Sequence, residues 1–160
     1  GILHDIGKIG IQDSILRKPG PLSKPEREII ERHPAIASLI LGPIEQLQSA
    51  VGYVKHHHER FDGTGYPEGL AGNQIPFGAR IIHAAEAFDA MVGKRAYSAP
   101  KSPAQALQEL RRCAGTQFDP QVVNSLAVVL QRDGSLAKPS GASQLDLPTV
   151  LEDLTAQVAL

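Results

Sequence analysis

Two short stretches of this sequence hold side chains that could do chemistry together: His4-Asp5-Ile6-Gly7-Lys8 and His56-His57-His58-Glu59-Arg60. Imidazole and carboxylate in one place suit a borderline first-row transition ion such as Fe, Mn or Zn. The second stretch runs directly into Phe61-Asp62-Gly63-Thr64-Gly65-Tyr66-Pro67-Glu68-Gly69, with three glycines and a proline in its last seven residues. Glycine lets backbone come close to whatever such ions hold. The histidine run is internal and follows the apolar Val51-Gly52-Tyr53-Val54, which argues against a terminal tag. Further metal-competent side chains are His33, Glu86 and Asp89, the last two about one helical turn apart. Adjacent helical residues point about 100° apart, so His4 and Asp5 cannot both chelate one ion from one face. They can serve two neighbouring ions, with Asp5 bridging through its two oxygens. Paired ions ~3.5–4 Å apart clamp the attacking and leaving oxygens of an in-line displacement at phosphorus, and a water bridging them becomes hydroxide near neutral pH. Lys8, one turn after His4, could neutralise charge on a phosphate oxygen. This is the inventory of a phosphodiesterase.

The elements that must carry these residues read as helices. Residues 1–8 look like the last turns of a helix, and residues 9–22 like a loop broken by Gly10, Pro19, Gly20 and Pro21. Ser23-Lys24-Pro25-Glu26 has the pattern of a capping box, opening a helix that carries Ile29 and Ile30 and reaches His33, where Pro34 forces a break or a new start. Ile36, Leu39, Ile40 and Ile44 continue an apolar face, and Leu47, Val51 and Val54 recur at helical spacing up to the histidines. Residues 59–78 have no helical period. A loop of about twenty residues is more often functional than idle. A helix over about 79–91 is expected to bury Ile81, Ile82, Ala85 and Phe88. Ser102-Pro103-Ala104-Gln105 and Asp119-Pro120 open two more helices. Residues 133–146 read as a linker and 147–160 as a C-terminal amphipathic helix with Leu147, Val150, Leu151, Leu154 and Val158 on one face. No segment alternates strictly enough for a strand, so the expected fold is all-α.

Composition narrows the class. With 42% hydrophobic and 21% charged residues the chain fits a globular protein, and 160 residues can bury a core. A formal net charge of −1 provides no electrostatic footprint for duplex DNA or an anionic membrane. The single cysteine, Cys113, cannot form an internal disulfide, which suits a reducing cytoplasm. No apolar run approaches the ~20 residues of a membrane span. The start at Gly1-Ile2-Leu3, without Met, reads as that of a chain cut from something larger.

With these residues in view, the chain resembles the HD-GYP family, a branch of the HD superfamily of metal-dependent phosphohydrolases. The resemblance runs from Leu3 to about Val123. It is carried by Leu3-His4-Asp5-Ile6-Gly7-Lys8-Ile9-Gly10, Lys18-Pro19-Gly20, His33-Pro34, His57-His58-Glu59-Arg60 and Asp62-Gly63-Thr64-Gly65-Tyr66-Pro67. Gly69-Leu70, Ile75-Pro76, Ala79-Arg80-Ile81, Asp89-Ala90-Met91 and Gly115-Thr116-Gln117-Phe118-Asp119-Pro120 complete it. It implies an all-α, HD-domain-like helical bundle over residues 1–132, with a long Gly-rich active-site loop and its N-terminal helices missing. The implied activity is hydrolysis of cyclic di-GMP to pGpG or on to GMP, through a hydroxide bridging two or three Fe or Mn ions. It implies His4, Asp5, His33, His57 and His58 as metal ligands, Lys8 and Arg95 as contacts to substrate phosphate, and Tyr66 beside the substrate cleft. The implied partners are a cyclic dinucleotide and an upstream regulatory or sensor domain, in the cytoplasm; apolar faces left uncovered at the N-terminus would invite a homodimer.

Four departures from the family pattern bear on these expectations. Glu86 stands where the family's last metal ligand is an aspartate, one methylene shorter. The family's Arg-Pro-Tyr followed by a basic residue appears as Arg95-Ala96-Tyr97-Ser98, and Gln12 replaces a usual proline. The helices expected before the HD doublet, which give three-metal members a glutamate ligand, are missing. The second function consistent with this pattern is a degenerate module that senses a cyclic dinucleotide or binds a protein without turnover. Outside the pattern, His56 reads as a helix-end surface residue or a supporting one, and His83 as a support for a ligand or a structural histidine. Asp62 and Asp119 read as caps, Arg60 and Arg80 as ion-pair partners, and Cys113 as packing.

Overall fold

The computed structural model describes residues 2–94 and 99–136. Residues 95–98, including Arg95, lie outside that range, as do most of the expected linker and the whole helix expected over 147–160. Among the described residues seven helices follow in order: α1 (Asp13–Leu16), α2 (Lys24–Ile30), α3 (His33–Leu41), α4 (Gln48–Lys55), α5 (Phe77–Val92), α6 (Pro103–Arg112) and α7 (Pro120–Arg132). Short 3₁₀ turns lie at Ile6–Gly10, Glu45–Leu47 and Gly72–Gln74. Among the described residues the only β pairing is two isolated bridges, Asp62 with Ala71 and Ala114 with Phe118. The all-α expectation holds.

Local chemistry explains most helix starts. Ser23 caps α2 and Glu26 returns its carboxylate to the Ser23 N–H, a complete capping box with Pro25 in the first turn. Ser102 and Gln105 do the same for α6. Asp119, buried, accepts from the Gln121 N–H and opens α7.

The chain divides into two compact units that meet at His83 and Ala84, within α5. The core of the first unit is Ala37, Leu41 and Val54, with Ile6, Leu47 and Val51 packed against them, so that α3, α4 and the Ile6–Gly10 turn share one apolar centre. In the second unit α6 lies against α7, burying Ala106, Leu107 and Leu110 together with Val122, Val123, Ala127 and Leu130.

Several expectations need correction. Residues 2–5 form turns and Ile6–Gly10 a 3₁₀ helix, not the end of an α-helix. The expected loop over 9–22 contains the single turn α1. His33 does not end a helix: α2 stops at Ile30 and His33 starts α3, where Pro34 fits because a first-turn N–H makes no intrahelical bond to lose. His57 and His58 sit in the turn beyond α4, not within it. On α5 the buried residues are Ala79 and Ala84, whereas Ile81 and Ala85 are exposed.

Candidate functional site

The turn at His4-Asp5 is brought to the start of α3 by Gly7. A Cβ at that position would stand 1.9 Å from the His33 carbonyl oxygen and 2.7 Å from the Ala37 N, so only glycine permits the approach. Through it, Asp5 Oδ1 reaches 3.4 Å from His33 Nε2, and Asp5 Oδ2 lies 3.6 Å from His4 Nε2. Lys8 closes on the same carboxylate, its Nζ 2.6 Å from Asp5 Oδ2.

Two backbone carbonyls fix the histidines. His33 Nδ1 lies 2.7 Å from the Ile30 carbonyl at the end of α2, and His57 Nδ1 lies 2.6 Å from the Val54 carbonyl in α4. A carbonyl oxygen only accepts, so both Nδ1 atoms carry the proton. In the neutral ring each Nε2 is then a bare lone pair. Those two Nε2 atoms face each other at 3.5 Å, and His33 Nε2 also faces Asp5 Oδ1, a buried oxygen with no hydrogen-bond partner. Three acceptors therefore converge with no hydrogen among them, an arrangement that is repulsive until a cation enters.

The surroundings keep the rings neutral. Burial, more than any neighbour, lowers the His33 pKa and pushes His57 down to about 4. Burial with His57 and His33 alongside takes His58 to about 2. For Asp5, burial acts to raise the pKa, but the Lys8 hydrogen bond and the charges of Lys8, His4 and His33 outweigh it and hold the carboxyl below its usual range. Neutral imidazole and ionised carboxylate are the forms that bind metal.

His33, His57 and His58 offer nitrogens within 4.8 Å of one another. The His4 ring meets His57 edge-on at 5.1 Å between centroids. His58 lies 4.1 Å from His57 and 5.0 Å from His33, and Tyr66 stacks on it at 4.9 Å. His83 from α5 gives a ring hydrogen bond to the His57 backbone, and burial lowers its pKa to about 4. It therefore supports the turn that carries His57. Glu86 follows His83 by one turn of α5 and is half-buried, whereas Asp89 is exposed.

His4, Asp5, Lys8, His33, His57, His58 and Tyr66, dispersed over sixty-odd residues of sequence, thus gather in the first unit. Arg60 binds Asp62 and Thr64, Arg80 binds Asn73 and lies over the Phe77 ring, and Asp62 closes its own turn. His56 is buried, which excludes the surface reading. Two site-building residues escaped the sequence reading: Gly7 and Glu59, whose carboxylate is fully buried. The i,i+3 spacing of His56 and Glu59 was the available signal.

The family profile described as HD domain matches residues 1–122. A cyclic di-GMP phosphodiesterase of Thermotoga maritima is 45% identical over 127 residues, covering 77% of this chain and 34% of that protein. A cyclic di-GMP phosphodiesterase response regulator of Xanthomonas campestris is 43% identical over 126 residues, covering 78% of this chain and 33% of that protein. The chain thus spans about a third of the length of these curated relatives. Among solved structures, a cyclic GMP-AMP specific phosphodiesterase of Vibrio cholerae superposes with a TM-score of 0.62 at 21% identity, over 98% of this chain and 46% of that one. That likeness concerns the fold.

Proposed function

The chain belongs to the HD domain family, in its HD-GYP branch, and from that premise we propose that residues 1–132 form a metal-dependent phosphodiesterase domain that hydrolyses cyclic di-GMP to pGpG or GMP. The observation that carries the reading is the convergence of His33 Nε2, His57 Nε2 and Asp5 Oδ1 with no hydrogen among them. That donor set fits divalent first-row ions, and two or three Fe or Mn ions are the occupants in this reading. Bound there, such ions supply Lewis acidity and an activated water.

The side chains divide the remaining work. His4, Asp5, His33, His57 and His58 hold the ions, with Glu86 on α5 as the last donor. The Ile30 and Val54 carbonyls keep Nδ1 protonated on His33 and His57 and so aim Nε2 at the ions. Asp5, with two carboxylate oxygens, would hold the ions beside the histidines and supply the negative charge that favours them. Lys8, held 2.6 Å from Asp5, brings an ammonium to a phosphate oxygen as negative charge develops on it. Tyr66 borders the substrate, and Arg95 adds a phosphate contact. Activity on related cyclic dinucleotides, an upstream regulatory domain, a homodimer and a cytoplasmic setting belong to the same reading. No helix among the described residues is long and apolar enough to cross a membrane.

The test is metal analysis of anaerobically purified protein paired with a cyclic di-GMP turnover assay, in this chain and in its longer parent. About two or more Fe or Mn per chain with linear or mononucleotide product supports the reading. Metal-free protein, or substrate bound without turnover in the parent chain, would replace it with a sensing or interaction module.

A further inference from the structure

Glu59 has no part in the chemistry above, yet its side chain is fully buried one residue beyond His58. A buried carboxylate is costly unless it is hydrogen-bonded; Oε2 is buried with no hydrogen-bond partner, so the other oxygen carries the contacts that hold this side chain. Oε1 accepts the backbone N–H of Glu68 at 2.8 Å, across the neck of the glycine loop. The buried His56 imidazole stands 3.6 Å from the same oxygen. Other contacts hold the loop around that anchor. The Tyr66 N–H reaches the His58 carbonyl at 3.3 Å. Gly65 lies so close to the preceding strand of chain that a Cβ would stand 2.3 Å from Arg60 N and 2.6 Å from Glu59 Cα. Lys55, the last residue of α4, binds the Glu68 carboxylate. Between the anchored N–H groups of Tyr66 and Glu68 only Pro67 intervenes. The backbone that carries Tyr66 is thereby held on both sides, and its ring is stacked on His58 with 27° between the planes.

We propose that Glu59 is a positioning residue whose carboxylate oxygen pins the Glu68 N–H and so holds the Tyr66 ring over the His58 imidazole. The inference rests on the reading that His58 and Tyr66 border the reaction site, and it identifies what keeps the two together. Its content is the placement of an acceptor atom, not of a charge. A glutamine at 59 keeps an oxygen at that distance; an aspartate keeps the charge but withdraws the oxygen by one C–C bond.

Two variants and two kinds of readout test this. In the metal-free chain, NMR follows exchange of the Glu68 amide and the ring-current shift that Tyr66 imposes on the His58 ring protons. Glu59→Asp is expected to speed Glu68 exchange by at least ~10-fold while α4 amides stay protected, and to move the His58 resonances. Glu59→Gln is expected to keep both near their original values. In the metal-loaded chain, Glu59→Asp lowers kcat/KM by roughly 10²-fold without loss of metal, the scale of a ~1 Å misplacement, and Glu59→Gln recovers most of that loss. Unchanged Glu68 exchange and His58 shifts in Glu59→Asp would overturn the proposal, as would a Glu59→Gln protein that loses both. Should Glu59→Asp fail to fold, Glu59→Gln alone decides, by keeping or losing Glu68 protection. Absence of turnover in the unaltered chain would count against the phosphodiesterase reading only, since the NMR comparison needs no activity.

Discussion

Asp5 and Asp62 are two aspartates beside histidine-rich or glycine-rich sequence, and they are satisfied in opposite ways. Asp62 Oδ1 accepts from the Thr64 N–H at 3.0 Å, the Thr64 hydroxyl at 2.6 Å and Arg60 Nε at 3.3 Å, while Oδ2 takes Arg60 Nη2 at 3.1 Å. Arg60 above all, with Thr64, pulls its pKa down to about 2. Asp5 has Lys8 on one oxygen, and its other oxygen is buried facing the bare lone pair of His33. Asp62 completes a turn with protein groups alone. Asp5 is part of a set that protein groups leave incomplete, and that difference separates a structural acid from a site acid more sharply than sequence neighbourhood does.

The widest way to open this comparison is to remove each carboxylate. Asp5→Ala is expected to strip about two metals per chain and to cost several kcal/mol of transition-state stabilisation, roughly 10³-fold or more in turnover. Retention of full metal, quantified per chain, would sink the ligand assignment.

Acid should expose the same contrast without mutation. His57 has its pKa lowered from 6.5 to about 4, so between those values the unfolded chain binds a proton that the folded chain refuses. Stability of the metal-free protein is therefore full above about pH 6.5 and declines as the pH falls toward 4, by on the order of 3 kcal/mol from this group. His58, lowered further, extends the decline to more acid pH. Asp62, also lowered, works in the same sense but only below its ordinary carboxylate range, so its contribution persists across this window. Urea titrations of metal-free protein at pH 7, 6 and 5 check the slope; equal midpoints would contradict buried neutral histidines.

Glu86, the last donor in the proposed reading, sharpens the comparison. Its carboxylate has one methylene more than the family aspartate, so Glu86→Asp is expected to raise metal occupancy and turnover, by roughly tenfold, the lower end of effects seen for shifted metal-site support. Glu86→Ala should lower both. Asp89, exposed one turn along α5, should be silent on substitution by alanine. Loss of metal in Asp89→Ala with Glu86→Ala unaffected would reverse the assignment. The smallest effect belongs to Asp62→Ala, which should lower Tm by roughly 2–4 °C and leave metal content untouched; calorimetry beside metal analysis separates the two.

Much of this was legible in the chain. Capping patterns at Ser23, Ser102 and Asp119 marked helix starts because the cap is a local bond between near neighbours. The gathering of His4, His33 and His57 could be anticipated from residue type and motif order. What stayed illegible was non-local. Whether His33 ended one helix or began the next turned on where the chain bends around Pro34. Which face of α5 is buried was misjudged because small Ala79 and Ala84, not Ile81, take the close contacts. The protonation of His33 and His57 is set by carbonyls three residues back, reached only because each ring folds over its own turn.

The close approach at Gly7 bears on how relatives of this chain should be read from genomes. A single methyl group there would collide with the His33 carbonyl and lift the His4-Asp5 turn away from α3. Such a chain would retain every histidine and aspartate that a motif search counts, and would be scored as intact. Its loss would be invisible in the inventory of ligands and visible only in the spacing between them. Glycine at this position therefore belongs beside the histidines in any such inventory.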